Sequence, residues 1–426
     1  MKAVQRLVTQ YATKPFVISA TEAHQRKVVI YAQNGTATLK HPITKKAIRI
    51  PREHQYDLTQ ATIFGLNERL TQAATSPRLG KETLRDRFNR EWKVYEAALT
   101  RAEKTNRLDY GMYAYYERTN DLVRFCDPFW HRVVACASSS KLITEPEQKL
   151  TWAEIRNIFE NTTVAICGGS VGNNVLHSTV MDLRPQHVKI ADKSLYKIEN
   201  INRVRLTYTD VVYSNQFRKS RTETLLRNKA EVSAMQLYSI DPFLMVHAYP
   251  EGITQANIDR FFDGSKDEPK ADIIVDEVDD PRIKVLLREE ARKRRIPLIM
   301  VTDVGSSVQL DVLRYDLDPH LFLTYGATDQ ALYAAVEECE QKPGNREAFF
   351  RFVDTLIGAE YRRGELERII LEKSEIPTAT MIPQLGSTAA VAGGIAAEAI
   401  ARIRLGHQYP PRSLIDKRTF ETRISH

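Results

Sequence analysis

A short glycine turn carries the first legible chemistry in this chain. Cys167, Gly168, Gly169, Ser170, Val171 and Gly172 follow an apolar run, and Gly169 and Gly172 let a phosphate approach the backbone where a helix begins. A strict dinucleotide fingerprint wants glycine where Cys167 stands, so the turn departs from the nicotinamide pattern. About 20 residues beyond Gly172, Asp192 ends the next apolar run, where a carboxylate can accept hydrogen bonds from ribose hydroxyls. That use fits NAD and ATP equally. No Walker A motif accompanies it: Gly80 and Lys81 are followed by Glu82 and lack the upstream glycine. Cysteines 126, 136, 167 and 339 form no C-x-x-C pair, so neither a disulfide framework nor a zinc site is expected, and a cytoplasmic setting is.

The turn must be held by a sheet. Short apolar runs at 164–167, 188–191, 244–249, 273–275 and 298–301 read as strands, with helices expected at 173–183, 222–238 and 281–295. Strands alternating with amphipathic helices predict a Rossmann-like α/β fold on a mostly parallel sheet. Val308, Leu310, Val312 and Leu313 add antiparallel strands, which makes the sheet mixed. The first third is less legible. Strand-like pieces at 28–31 and 36–39, a helical pattern over 82–104 and an aromatic group of Phe125, Phe129 and Trp130 predict an N-terminal α+β extension with no evident chemistry. The expected division is 1–149 as extension and 150–426 as the nucleotide-binding domain.

Composition sets the outer limits. With 426 residues, 42% hydrophobic and 27% charged, the chain has the ordinary balance of a folded protein of two or three domains, or one large domain with an extension. No apolar segment reaches the roughly 20 residues of a membrane helix, and the N-terminus lacks the apolar core of a secretory signal. Lys plus Arg exceed Asp plus Glu by 61 to 54. These cations are scattered without interleaved aromatics, which predicts mild attraction to anions and argues against a nucleic-acid partner.

Beyond Asp192 the sequence becomes specific. Asp192 with Asn200, Ile201, Asn202 and Arg203 resembles the Asp and Asn-x-Asn-Arg segment of the ThiF, MoeB and ubiquitin-activating (E1-like) adenylyltransferases. Arg227, Asn228, Lys229 and Ala230 are similar to that family's lysine motif, Asp241, Pro242 and Phe243 to its next turn, and Asp276 to Asp280 to its Asp-x-x-Asp-Asn. Pro383, Gln384, Leu385, Gly386 and Ser387 before a small-residue helix also fit. The likeness spans about residues 150–406. Its details look closest to the ThiF-type domain of nitroreductase–ThiF fusion proteins, although no nitroreductase portion is visible. Ser170 stands where a glycine is usual and Asp280 where Asn is common, and the longer interval before Lys229 implies an inserted loop near 207–221.

The resemblance implies an enzyme that activates a carboxylate with ATP as an acyl-adenylate. A carboxylate, with a reference pKa near 4, is already an anionic nucleophile, so the site must supply positioning and charge neutralisation and needs no general base. Arg203 and Lys229 are the cations expected on the phosphates. Asp279 is expected to hold Mg2+, and Asp192 the ribose. Gly168, Gly169 and Gly172 would leave room for the nucleotide, while Asn200 and Asn202 would bind phosphate or brace the Arg203 loop. The carboxylate belongs to a ubiquitin-like C-terminus, a peptide or a small acid. A homodimer is implied as well, with Arg156 a candidate to reach the partner's nucleotide.

Simpler uses compete. Asp279 and Asp280 before Pro281 also suit a helix cap. Residues 288–295 read as a charged solvent face, and His177 as packed or exposed. Cys339 sits among glutamates, which raise a thiol pKa and count against thioester chemistry. Two other functions remain open on sequence: a nucleotide-dependent oxidoreductase that binds NAD, and a noncatalytic scaffold, or pseudoenzyme, on the same sheet.

Overall fold

The computed structural model describes residues 143–145, 147–214, 224–226, 228–358 and 384–425, together with seven strands between residues 16 and 126. The chain divides into two units, one of residues 13–138 with 216–221 and the other of the remainder. In the first unit, β1 (Phe16–Ser19), β6 (Gly111–Tyr116), β7 (Asp121–Cys126) and β5 (Thr83–Asp86) form one sheet in that order. A three-stranded sheet holds β2 (Ile30–Gln33), β3 (Thr36–Lys40) and β4 (Ala47–Arg49).

The helix expected over 82–104 is corrected at its start. Thr83–Asp86 is a strand, pairing in parallel with Asp121–Arg124 of β7, so neighbouring-strand hydrogen bonds override the local helical period. The rest of that segment, and the side chains of Phe125, Phe129 and Trp130, lie outside the described residues.

The second unit is built on eight strands. β8 (Thr163–Cys167), β9 (His187–Ala191), β12 (Met245–Tyr249), β13 (Ile273–Asp276) and β14 (Leu298–Val304) run parallel, in the order β12-β9-β8-β13-β14. β15 (Ser307–Leu313), β16 (Arg412–Asp416) and β17 (Glu421–Ser425) continue it antiparallel. All five residues of β8 are buried, as a strand with parallel neighbours and covered faces requires. Strand order reverses between β8 and β13, the place where an open α/β sheet leaves a crevice beyond its carboxyl ends.

Helices cover both faces. Thr151 and Glu154 form a reciprocal capping box that starts α1 (Trp152–Glu160). α2 (Val171–Leu183) follows the glycine turn and packs with α9 (Gly386–Arg404) on one face, where Val164, Ile166, Val188 and Val275 meet Ala392, Ala396 and Ile400. The approach is close: a Cβ on Gly393 would lie 2.7 Å from the Asn174 carbonyl. On the other face Ala165, Ile274 and Leu298 pack with Phe261 and Phe262 of α5 (Ile258–Asp263) and Leu287 of α6 (Pro281–Arg294). No helix among the described residues is long and apolar enough to cross a membrane.

Two further expectations change. The helix expected over 222–238 starts later, because Asn228 is the N-cap of α4 (Lys229–Ile240), its side chain accepting from the N–H groups of Ala230 and Glu231. Thr224–Leu226 before it is β11, pairing with β10 (Val212–Ser214), which follows the short helix α3 (Tyr208–Val211). The expected loop at 207–221 therefore carries structure over its described part. The solvent face expected at 288–295 fails at Arg288, which is 1% exposed and binds Asp276.

Candidate nucleotide-binding site

A cleft of about 200 Å³ opens over the carboxyl ends of β8, β9 and β13, at the reversal point of the sheet. Each wall comes from a different crossover. The glycine turn after β8 supplies Gly168, Gly169 and Ser170, and the end of β9 supplies Asp192, Lys193 and Ser194. Lys229 enters from the start of α4, and Glu277, Val278, Asp279 and Asp280 from the end of β13.

Gly168 has φ +97, and a Cβ there would lie 2.2 Å from the Glu277 carbonyl oxygen, so the turn admits only glycine at that point. Gly169 approaches Lys229 in the same way, with 2.8 Å between a built Cβ and the lysine Cβ. Gly172 does not line the cleft; it sets the spacing of helix and sheet, since a Cβ would meet Ile166 at 2.8 Å.

Asp192 is fixed before any ligand arrives. Its Oδ2 accepts from the Gly169 N–H at 2.6 Å and its Oδ1 from the Ser194 N–H at 2.7 Å. Lys229 Nζ lies 3.9 Å from Asp192 Oδ2 and over the Tyr196 ring at 5.9 Å. Tyr196 is fully buried and donates its hydroxyl to the Gly169 carbonyl at 2.6 Å. Burial pushes its phenol well above the usual range.

Arg203 reaches the site from the other side of the glycine turn. Its Nε donates to Ser170 Oγ at 3.0 Å, and its Nη1 lies 3.5 Å from Asn202 Oδ1. Ser170 lines the cleft, whereas Arg203 adjoins it through that hydroxyl. Burial lowers the guanidinium's pKa, and the charges of Asp303 and then Asp279 oppose that effect. No carboxylate among the described residues comes within ion-pair distance of Arg203, so the cation is held by neutral partners and keeps donors for an anion.

The two asparagines do different work. Asn200 is buried and accepts the Lys197 N–H at 2.8 Å, shaping the 3₁₀ turn Ile198–Asn202. Asn202 donates to the Gln384 carbonyl at 3.3 Å. At the end of β13, Asp280 takes the capping role, accepting from the N–H groups of Arg282 and Ile283. Asp279 is exposed and remains available to a ligand.

Three contributors were not singled out from the sequence. Tyr196 stands inside the recognised stretch, but an aromatic between Lys193 and Lys197 signals nothing by itself. Glu277 lines the cleft and accepts the Val301 N–H at 2.9 Å, and desolvation pushes its carboxyl up to about 8. Asp303 is a carboxylate at the end of the apolar strand β14, and that placement was a usable signal.

A divalent cation fits this donor set only together with a nucleotide. No group of three metal-binding side chains exists among the described residues, but magnesium retains waters and phosphate ligands and needs only one or two carboxylates. Asp279 would be one. His177 is buried against Gln236, at 3.1 Å, and Arg156 pairs with Glu160 one turn along its own helix at 2.6 Å. Cys339 lies on α7 (Asp329–Gln341), where burial and then the charge of Glu338 push its thiol up.

With this geometry in place, the sequence comparison is decisive: the model of the ThiF family matches residues 150–423. The chain belongs to the ThiF family. A curated relative, "Uncharacterized protein MT1398" of Mycobacterium tuberculosis (strain CDC 1551 / Oshkosh), is 27% identical over 207 residues, 49% of this chain and 25% of that protein. The chain thus spans about a quarter of that relative's length. Among solved structures, PaaA superposes with a TM-score of 0.45 at 13% identity, covering 69% of this chain and 82% of PaaA. Escherichia coli MccB gives 0.40 at 15%, covering 65% of each chain. A structure of MccB with ATP gives 0.39 at 15%, covering 65% of this chain and 67% of that one.

Proposed function

We propose that this ThiF-family protein activates a carboxylate with ATP, forming an acyl-adenylate and releasing pyrophosphate. The observation that carries the reading is the convergence of Asp192, Lys229, Asp279 and the Ser170–Arg203 pair, from five separate segments, on one crevice at the reversal of the parallel sheet. In this reading, Asp192 holds the ribose and the glycine turn leaves the phosphates against the N-terminus of α2. Lys229 and Arg203 neutralise the charge that grows on the phosphates as the reaction proceeds. Magnesium, carried by Asp279 and the phosphates, would add to that neutralisation.

The chemistry requires no base. A substrate carboxylate oxygen attacks the α-phosphorus; the new O–P bond forms as the bond from the α-phosphorus to the bridging oxygen breaks, and pyrophosphate leaves with the electron pair. No proton is transferred, because the carboxylate is already ionised at neutral pH. The chain's task is alignment, which favours fixed donors such as the Asp192–Gly169 and Arg203–Ser170 contacts. A peptide or ubiquitin-like C-terminus is the proposed acyl donor; MccB has been solved together with MccA. A second copy of the chain is the proposed partner.

Pyrophosphate exchange tests the reading. The intact protein, given ATP, labelled pyrophosphate and a panel of peptides and small acids, is expected to incorporate label with at least one acid. Arg203→Ala, Lys229→Ala and Asp279→Ala should suppress that signal. Exchange equal to wild type in Lys229→Ala and Asp279→Ala rejects this site. Tight NAD binding with no ATP binding would transfer the protein to the oxidoreductases.

A further inference from the structure

The segment Gln384-Leu385-Gly386 opens α9 beside the carboxyl end of β14. Gln384 Nε2 donates to Asp303 Oδ1 at 2.7 Å, while its backbone oxygen accepts from Asn202 Nδ2 at 3.3 Å. Asn202 is the residue before Arg203, and its Oδ1 lies 3.5 Å from Arg203 Nη1. Gly386 brings α9 against the same turn: a Cβ there would lie 2.4 Å from the Asn202 carbonyl oxygen. Hydrogen bonds and backbone packing therefore tie β14, the 3₁₀ turn and α9 into one assembly beside Arg203.

Asp303 occupies an unusual place for a carboxylate. It is 7% exposed, and its Oδ2 has no hydrogen-bond partner among the described residues. A buried carboxylate left half-satisfied is costly. Asp303 lies near the carboxyl end of β14, close enough to Asp279 for that charge to act on it. Its charge is the largest of those opposing the effect of burial on Arg203, although the two side chains make no direct ion pair. The arrangement supplies a fixed negative field together with a chain of neutral hydrogen bonds. Such a device aligns a guanidinium without occupying the donors it needs for phosphate.

We propose that Asp303 and Gln384 are positioning residues for Arg203, acting through Asn202 to hold its guanidinium at the edge of the nucleotide cleft. The inference rests on reading Arg203 as a phosphate-binding cation. It predicts that the start of α9 contributes to nucleotide binding although Gln384 does not line the cleft. Losing one bond of the chain should weaken binding by about tenfold, the scale of one hydrogen bond.

A double-mutant cycle tests it, using the magnesium complex of a non-hydrolysable ATP analogue as probe and calorimetry on the full chain. Gln384→Leu is expected to weaken binding by about tenfold, but to cause no further loss in the Arg203→Ala background. The same change should multiply with the loss in Lys229→Ala, since separated sites act independently. Asp303→Asn keeps an acceptor for the Gln384 amide and should bind better than Asp303→Leu; a purely structural role would separate neither pair. Thermal midpoints accompany each variant, and the Asp303 pair decides the matter if Gln384→Leu fails to fold. Wild-type affinity in Gln384→Leu, or losses that multiply with Arg203→Ala as they do with Lys229→Ala, overturns the proposal. If Arg203→Ala binds normally while Lys229→Ala does not, the positioning role falls and the nucleotide site stands. A wild-type chain that ignores the probe removes the proposed function itself.

Discussion

Two sets of charges lie within a few residues of each other where β13 passes into α6, and they are built in opposite ways. Asp276 is wholly buried and binds Lys284 Nζ at 3.0 Å as well as the Arg288 guanidinium, with both cations projecting from successive turns of α6. Three residues later Asp279 stands exposed on the cleft, and Arg203 is hydrogen-bonded to the neutral side chains of Ser170 and Asn202, with no carboxylate in ion-pair contact among the described residues. The first set neutralises itself in the interior, because an unpaired charge there is costly. The second keeps its charges apart, which is the state a site must maintain if a polyphosphate and its cation are to complete it. Asp279 and Arg203 thus differ from the buried pairs, while Lys229, 3.9 Å from Asp192 Oδ2 in the same cleft, is intermediate between the two.

The strongest way to break the comparison is Asp276→Ala. It leaves two buried cations without their carboxylate and should cost about 3–5 kcal/mol of stability, read from the denaturation midpoint. Affinity for a nucleotide analogue in the folded fraction should stay near wild type. A stable variant with lost affinity would mean that Asp276 belongs to the site.

Lys229→Ala should show the reverse. Exchange activity is expected to fall by about 10²–10³-fold, the loss typical of removing one electrostatic contact to a transition state. Stability should change by about 1 kcal/mol or less. The alanine keeps the Cβ that packs against Gly169, and Asp192 keeps the Gly169 and Ser194 N–H groups as donors. A large drop in the thermal midpoint would reassign Lys229 to the scaffold.

The contrast also explains what the sequence could reveal. Strand period and glycine placement made β8, α2, β9, β13, α6 and β14 legible, because burial on both faces leaves unbroken apolar runs. Asp192, Lys229 and Asp279 were legible as an ordered series. The cleft itself is lined by residues 168–170, 191–194, 229, 252–253, 277–280 and 283, and only folding brings those short pieces together. Arg288 was misjudged because a run of Arg and Lys looks solvated until the strand that ends in Asp276 is laid beneath it. The start of the 82–104 pattern was misread for the same reason, since Thr83–Asp86 finds its partner in β7, far along the chain. Gln384 is visible in the sequence only as part of the family-like run Pro383 to Ser387, and its link to Asp303 is not, because that link is a hydrogen bond between residues 81 positions apart.

The smallest expected effect sharpens the comparison most, because it divides neighbouring residues of the same chemical type. Asp280 accepts from the N–H groups of Arg282 and Ile283 at the start of α6, so Asp280→Ala should destabilise the protein by about 1 kcal/mol, the usual worth of such a cap. Asp280→Ser or Asp280→Asn should recover most of that loss, since either side chain can cap. Asp279 makes no such bond and is exposed, and Asp279→Ala should leave the midpoint within about 0.5 kcal/mol of wild type while reducing magnesium-dependent nucleotide binding. Thermal melts and titrations with and without magnesium on the two alanine variants read both quantities. If the phenotypes exchange places, with Asp279 holding the helix and Asp280 the ion, the division between paired and unpaired charge at this edge has been drawn one residue out of register.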